Sequence, residues 1–177
     1  MKKFAIGIYL SLLFLFIYLL QVNFFSWFNL AGIKPNLFVI LVLIIGLFSG
    51  RRVGTIFGVV FGILLDFFLG KSIGISAIML GIVGFTGGYL DKNFSKDSRI
   101  TMITMVVIAT IIYEAGVCLL NYFINAAQIS IWYFIRVLIV ELIYNSILII
   151  IIYPMIIKLG YRMEENFKEN KMLTRYF

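Results

Sequence analysis

Glycines recur every fourth residue at Gly46, Gly50, Gly54, Gly58 and Gly62, and the next step in that register is Asp66. The register resumes at Gly70 and Gly74, and the whole pattern lies in an apolar stretch from Leu37 to Leu90. In water this would be a poor helix, because each glycine costs roughly 1 kcal/mol against alanine. Inside a bilayer the backbone has to satisfy its own hydrogen bonds, which makes helix almost obligatory. Small residues four apart then let two helix backbones approach closely. The stripe therefore reads as a seam, either for packing within the chain or for docking another protein. The Asp66 carboxylate within it is expected to face protein rather than lipid.

The membrane setting rests on composition. Of 177 residues, 63% are hydrophobic and 13% charged, and mean hydropathy is +1.09. These values belong to an all-α polytopic membrane protein and exclude a soluble globular domain. One spanning helix takes about 20 apolar residues, so six would use about 120 and leave only short connections. The chain reads as one transmembrane domain over 1–177, with no room for an extramembrane catalytic domain.

Six spans are predicted, at approximately 4–22, 36–49, 53–69, 73–90, 100–124 and 129–157. Lys34-Pro35-Asn36-Leu37 marks the start of the second, since proline suits the first turn of a helix. That span is short for a bilayer. The first span follows Lys2 and Lys3, as a signal peptide would, but it is too long for one and lacks a small-residue cleavage site. It is expected to stay as an anchor. The aromatic group Phe24, Phe25, Trp27 and Phe28 suits a membrane interface. Residues 162–177 are expected to form a short cytoplasmic tail, more frayed or disordered than helical.

Net charge is +7, yet the bases lie in connections and lack the aromatic interleaving of a nucleic-acid surface. With the N-terminus inside and six alternating spans, the inner segments hold twelve Lys and Arg and the outer loops only Lys34 and Lys71. That asymmetry places both termini in the cytoplasm. Only Arg136 is left within a span.

Four ionisable residues fall inside the spans: Asp66, Glu114, Arg136 and Glu141. Each is costly there unless it faces protein, water or a partner, so each is a candidate site residue. All four lie in the outer half of the membrane. Arg136 and Glu141 are five apart and do not share a helix face, so Arg136 is expected to pair with Glu114 or Asp66 on another helix. Glu141 shares its face with Tyr144 and Asn145, and Glu114 with Thr110, Cys118 and Asn121. These groups could fix helix register, form a ligand or partner site, or couple to protons.

Catalytic arrangements are lacking. The chain has no histidine and a single cysteine, Cys118, which removes the commonest base and metal ligand and any disulfide framework. Glycines spaced by four match neither phosphate-binding pattern. No enzyme, cofactor or metal is expected.

The chain resembles the MreD family of rod shape-determining membrane proteins. The resemblance rests on length, on six short-looped spans and on Pro35-Asn36-Leu37 opening the second. It also rests on the run from Gly46 through Arg51-Arg52-Val53-Gly54 to Gly62-Ile63-Leu64-Leu65-Asp66, followed by Gly70 and Gly74. It implies a noncatalytic subunit of the bacterial elongation machinery in the cytoplasmic membrane. The fold implied is similar to the substrate-binding S components of energy-coupling-factor vitamin transporters. The implied partner is an MreC-like bitopic protein, and through it RodA, a penicillin-binding transpeptidase and MreB. Pro35, Asn36, Gly58, Gly62 and Asp66 carry over as positions of the family's motif; Glu114, Arg136 and Glu141 do not. The alternative is an S component that captures a small vitamin near Asp66, Glu114 and Arg136.

Overall fold

In a computed structural model the described residues are 2–30, 32–69, 74–91, 98–125 and 130–172. They form α1 (Lys2–Leu19), a π-helical segment (Leu20–Phe24), the single turn α2 (Phe25–Trp27), α3 (Leu37–Ser49), α4 (Arg51–Leu69), α5 (Ile75–Leu90), α6 (Arg99–Asn125) and α7 (Ile131–Met172). The architecture is all-helical. By length and composition α4, α6 and α7 can each cross a membrane, and three shorter apolar helices lie at 11–27, 37–49 and 75–90. Each of the six predicted apolar runs overlaps one of these helices, and α7 continues well beyond the last of them.

Helix α3 is the centre of the bundle. All its residues except Ile44 are buried, and α4, α5, α6 and α7 all touch it. Helix α1 closes another side through Phe14, whose ring lies 5.0 Å from that of Phe38 and 4.9 Å from that of Phe61. A helix surrounded by protein should be apolar all round rather than striped, which is what Leu-Phe-Val-Ile-Leu-Val-Leu-Ile-Ile supplies.

Helices α3 and α4 are separated by one residue, Gly50, with φ at +90°. Its N–H still closes the last turn of α3 on the Gly46 carbonyl at 2.9 Å, and its own carbonyl accepts from Gly54 at 3.0 Å. Only a residue tolerant of positive φ can end one helix and begin the next without an intervening loop.

The glycines on either side of this turn bring helix backbones into direct contact. A Cβ on Gly54 would sit 2.6 Å from both the Gly46 Cα and the Gly84 carbonyl oxygen. One on Gly58 would meet the Leu80 carbonyl group and the Gly81 nitrogen, and one on Gly62 the Ala77 backbone. From the α5 side, Gly84 lies on the Gly54 carbonyl, Gly87 on the Leu43 carbonyl and Gly88 on the Arg51 backbone. The four-residue register therefore runs along two helices, with Gly46 on α3 and Gly54, Gly58 and Gly62 on α4. The backbone of α5 is the surface they meet. Gly50 is the turn between them.

The two ends of the bundle differ. At one end Arg51 lies over the rings of Phe85 and Tyr89, 5.5 and 4.8 Å from their centroids, and Arg99 lies over Tyr153 at 5.6 Å. At the other end Trp27, Phe28, Phe67, Phe68, Tyr122, Phe123, Trp132 and Tyr133 are exposed.

Helix α7 spans 42 residues and includes Pro154. At 1.5 Å per residue it is about 63 Å long, twice the roughly 30 Å of a hydrocarbon core. This corrects the expectation of a frayed tail, because helix continues from 162 through Met172. Its apolar side is held by the bundle at Ile156 and at Gly160, which abuts the Phe48 ring, and that contact carries the helix onward. Residues 173–177 of the predicted tail lie outside the described residues, as do Gly70 and Lys71.

Candidate functional site

The aromatic end of the bundle encloses a layer of polar side chains, and helix termini explain much of it. Helix α5 begins after Gly74, which adopts φ +105° and, as glycine, has no side chain with which to cap the helix. The cap comes from α4. Asp66, only 1% exposed, accepts hydrogen bonds on Oδ2 from Gly74 N–H at 2.8 Å and Ser76 N–H at 3.2 Å. A carboxylate at a helix N-terminus satisfies its unpaired donors and complements the helix dipole. Gly62 makes this reach possible, because it lets α4 touch the Ser76–Ala77 backbone. The second oxygen, Oδ1, is buried without a hydrogen-bond partner among the described residues.

The start of α3 is satisfied by side chains from two other helices. Asn36 caps it, its Oδ1 accepting from Val39 N–H at 3.3 Å. The Asn36 N–H donates to Asn145 Oδ1 at 3.0 Å. The Leu37 N–H donates to Gln21 Oε1 at 3.2 Å, from the π-helical segment that follows α1. Asn145 then donates through Nδ2 to Thr110 Oγ1 at 3.0 Å. Asn145 and Thr110 are both fully buried, so this chain of bonds is made where an unpaired polar group costs about 1–3 kcal/mol. Pro35, also buried, has no N–H to satisfy at this crowded entrance.

Two acids complete the layer. Glu141 of α7 is 4% exposed and interacts with Glu114, Asn145 and Asn36. Tyr113 of α6 is buried and interacts with Ser76, Asn36 and both glutamates. The polar residues thus form one belt, in which α3 to α7 and the segment after α1 each contribute at least one side chain.

The candidate residues divide accordingly. Asn36, Glu114 and Glu141 meet in one group; Asp66 reaches it by way of Ser76 and Tyr113. Arg136 does not join them. It is exposed on α7, while Glu114 faces Glu141 and Asp66 is committed to the α5 terminus, so the expected pairing of Arg136 with either acid is corrected. A long, flexible base about two and a half turns ahead of the buried Asn145 extends outward instead.

Gln21, Ser76, Thr110, Tyr113 and Asn145 are members of the belt that the sequence did not single out as site residues. For Asn145 and Thr110 a signal existed, because they share helix faces with Glu141 and Glu114. For Gln21 it did not, because a π-helical turn changes which residue faces the bundle.

A buried belt joining helix starts, on apolar helices of membrane-crossing length, defines an integral membrane protein of the helical-bundle class. The chain belongs to the MreD family: the family model described as rod shape-determining protein MreD matches residues 1–163. It is thereby a rod shape-determining membrane protein. No curated protein and no solved structure matched the chain.

Proposed function

We propose that the chain is a noncatalytic scaffold of the rod complex in the bacterial cytoplasmic membrane, crossing it six times with both termini inside. It would hold a bitopic MreC-like partner, and through that partner influence RodA, a penicillin-binding transpeptidase and MreB during lateral peptidoglycan synthesis. The observation that carries this reading is the family match over residues 1–163.

Three features of the molecule support it. Bases gather at one end and aromatic side chains at the other, the distribution expected of cytoplasmic and outer interfaces. The glycine seam is occupied by the chain's own α5 backbone, so it makes a rigid frame and leaves docking to other faces. Such faces exist: Ile56, Val60, Ile63 and Phe67 form an exposed stripe along α4, available to lipid and to a single partner helix.

The test is affinity purification of the tagged full chain from native membranes, together with its depletion from growing cells. A bitopic MreC-type protein should co-purify, and depleted cells should become round. Cells that keep rod shape without the protein, with no such partner recovered, would refute the scaffold reading.

A further inference from the structure

We propose that Arg136, beneath Trp132 and Tyr133, seats the phosphate of an anionic phospholipid against α7, with an acyl chain along Ile139, Ile143 and Ile147. Arg136 is exposed, and among the described residues it makes no hydrogen bond or ion pair. An uncompensated charge on an apolar helix of membrane-crossing length is costly and marks a candidate binding site. The other described base at the aromatic end, Lys34, is already engaged with Ser26 Oγ at 2.7 Å.

Position on the helix supplies the geometry. Helix α7 begins at Ile131, so the Arg136 Cα lies about 7.5 Å from the helix end. Helical side chains lean toward the N-terminus. For α7 that is the aromatic end, so the guanidinium can extend to headgroup depth. Trp132 and Tyr133 precede Arg136 by four and three residues and share its face. Trp132 is 84% exposed and Tyr133 67%, and amphipathic rings of this kind settle at headgroup level. A guanidinium binds phosphate through two parallel N–H donors. With no protein acid paired to it, Arg136 is satisfied better by a lipid of net negative charge than by a zwitterion.

The rest of the face decides what kind of molecule fits. Below Arg136, at helical spacing, stand Ile139, Ile143 and Ile147, all exposed. Helices that dock on one another in a bilayer use small residues to bring their backbones together, as α4 and α5 do here. This stripe carries only branched side chains, which hold a second backbone away. A flexible acyl chain can follow such a ridge where a helix cannot. The inference does not depend on the scaffold reading, because it concerns only lipid in the leaflet at the aromatic end.

The chain has two tryptophans, Trp27 and Trp132, so Trp27→Phe leaves Trp132 as the sole reporter, at the site itself. The full chain with this change is reconstituted in phosphatidylcholine vesicles. A rising fraction of the lipid is phosphatidylglycerol brominated on its acyl chains, which quenches an adjacent tryptophan. Brominated phosphatidylcholine at the same fractions gives the reference for random mixing. Phosphatidylglycerol should quench as though enriched about 5-fold around Trp132, and Arg136→Gln should bring quenching back to the reference. Because Arg136 is exposed, that variant keeps the fold. Two results overturn the proposal. Quenching at the reference level in the chain with Arg136 intact would leave the base to a partner's transmembrane acid. Enrichment that survives Arg136→Gln would belong to the net charge of the chain.

Discussion

Replacing Gly54 with alanine tests whether backbone contact along the glycine seam holds the bundle together. The added Cβ would lie 2.6 Å from the Gly46 Cα and 2.6 Å from the Gly84 carbonyl oxygen, where ordinary contact begins at 3.4 Å. Both obstacles are backbone, on different helices, so no side-chain rotation relieves them. Helix α4 must withdraw by about 0.8 Å, forfeiting a quarter to a half of each close dispersion contact along the seam. Overpacking of this kind costs about 1–3 kcal/mol, and simultaneous collision with two backbones places Gly54→Ala at the upper end. Removing a helical glycine returns roughly 1 kcal/mol. The net loss is about 2 kcal/mol, some 30-fold in the folded-to-unfolded ratio. Gly81→Ala is the matched control, because its Cβ would meet Val59 Cγ2 at 2.8 Å, a side-chain methyl that can yield. Its expected net change is within about 1 kcal/mol of zero. Reversible unfolding in mixed micelles would compare the two. If Gly54→Ala is as stable as Gly81→Ala, the backbone seam is not what sets the stability of the bundle.

Asp66→Ala removes the side-chain cap seen on α5 among the described residues and should cost about 2–3 kcal/mol. Hydrogen exchange at Gly74 and Ser76 should accelerate, and unchanged protection there would contradict the capping role. Asn145→Ala severs α7 from both the Asn36 N–H and Thr110. It should cost about 2 kcal/mol by chemical unfolding, with little further loss when Thr110→Val is added, since the two act as one unit. Arg136→Gln should change stability by less than about 0.5 kcal/mol, and its double-mutant cycle with Glu114→Gln should give no coupling; coupling above 1 kcal/mol would restore the pairing. Reporter fusions at either terminus should both read as cytoplasmic.

Hydropathy made the six apolar helices legible because their connections are short and carry the bases. Their residue assignments were less so. Period-four glycines look alike whether they lie on a helix face or turn a corner, and Gly50 proves to be the corner. The complementary surface was also open to view, since Gly84 and Gly88 repeat the same spacing on α5. Spacing within one helix does not reveal which neighbour it meets. Asp66 was recognised as facing protein, but its task depends on Gly74 lacking a side chain to cap with, a relation between residues eight apart on different elements. Arg136 misled because a charge within an apolar run looks buried, whereas near the end of α7 it can extend outward. The tail misled for the converse reason: its charges suggested fraying, and Gly160 against Phe48 anchors the helix just before them.

The 13 residues of α3 reach only about 20 Å, too little for a lipid hydrocarbon layer of about 30 Å. Hydrophobic mismatch, however, is felt only where lipid touches a helix. Since α3 is sheathed by its neighbours, the surrounding bilayer meets longer helices and need not thin to accommodate it. The Asn36 end can therefore remain below the headgroups, and the membrane's thickness places no constraint on the length of this segment.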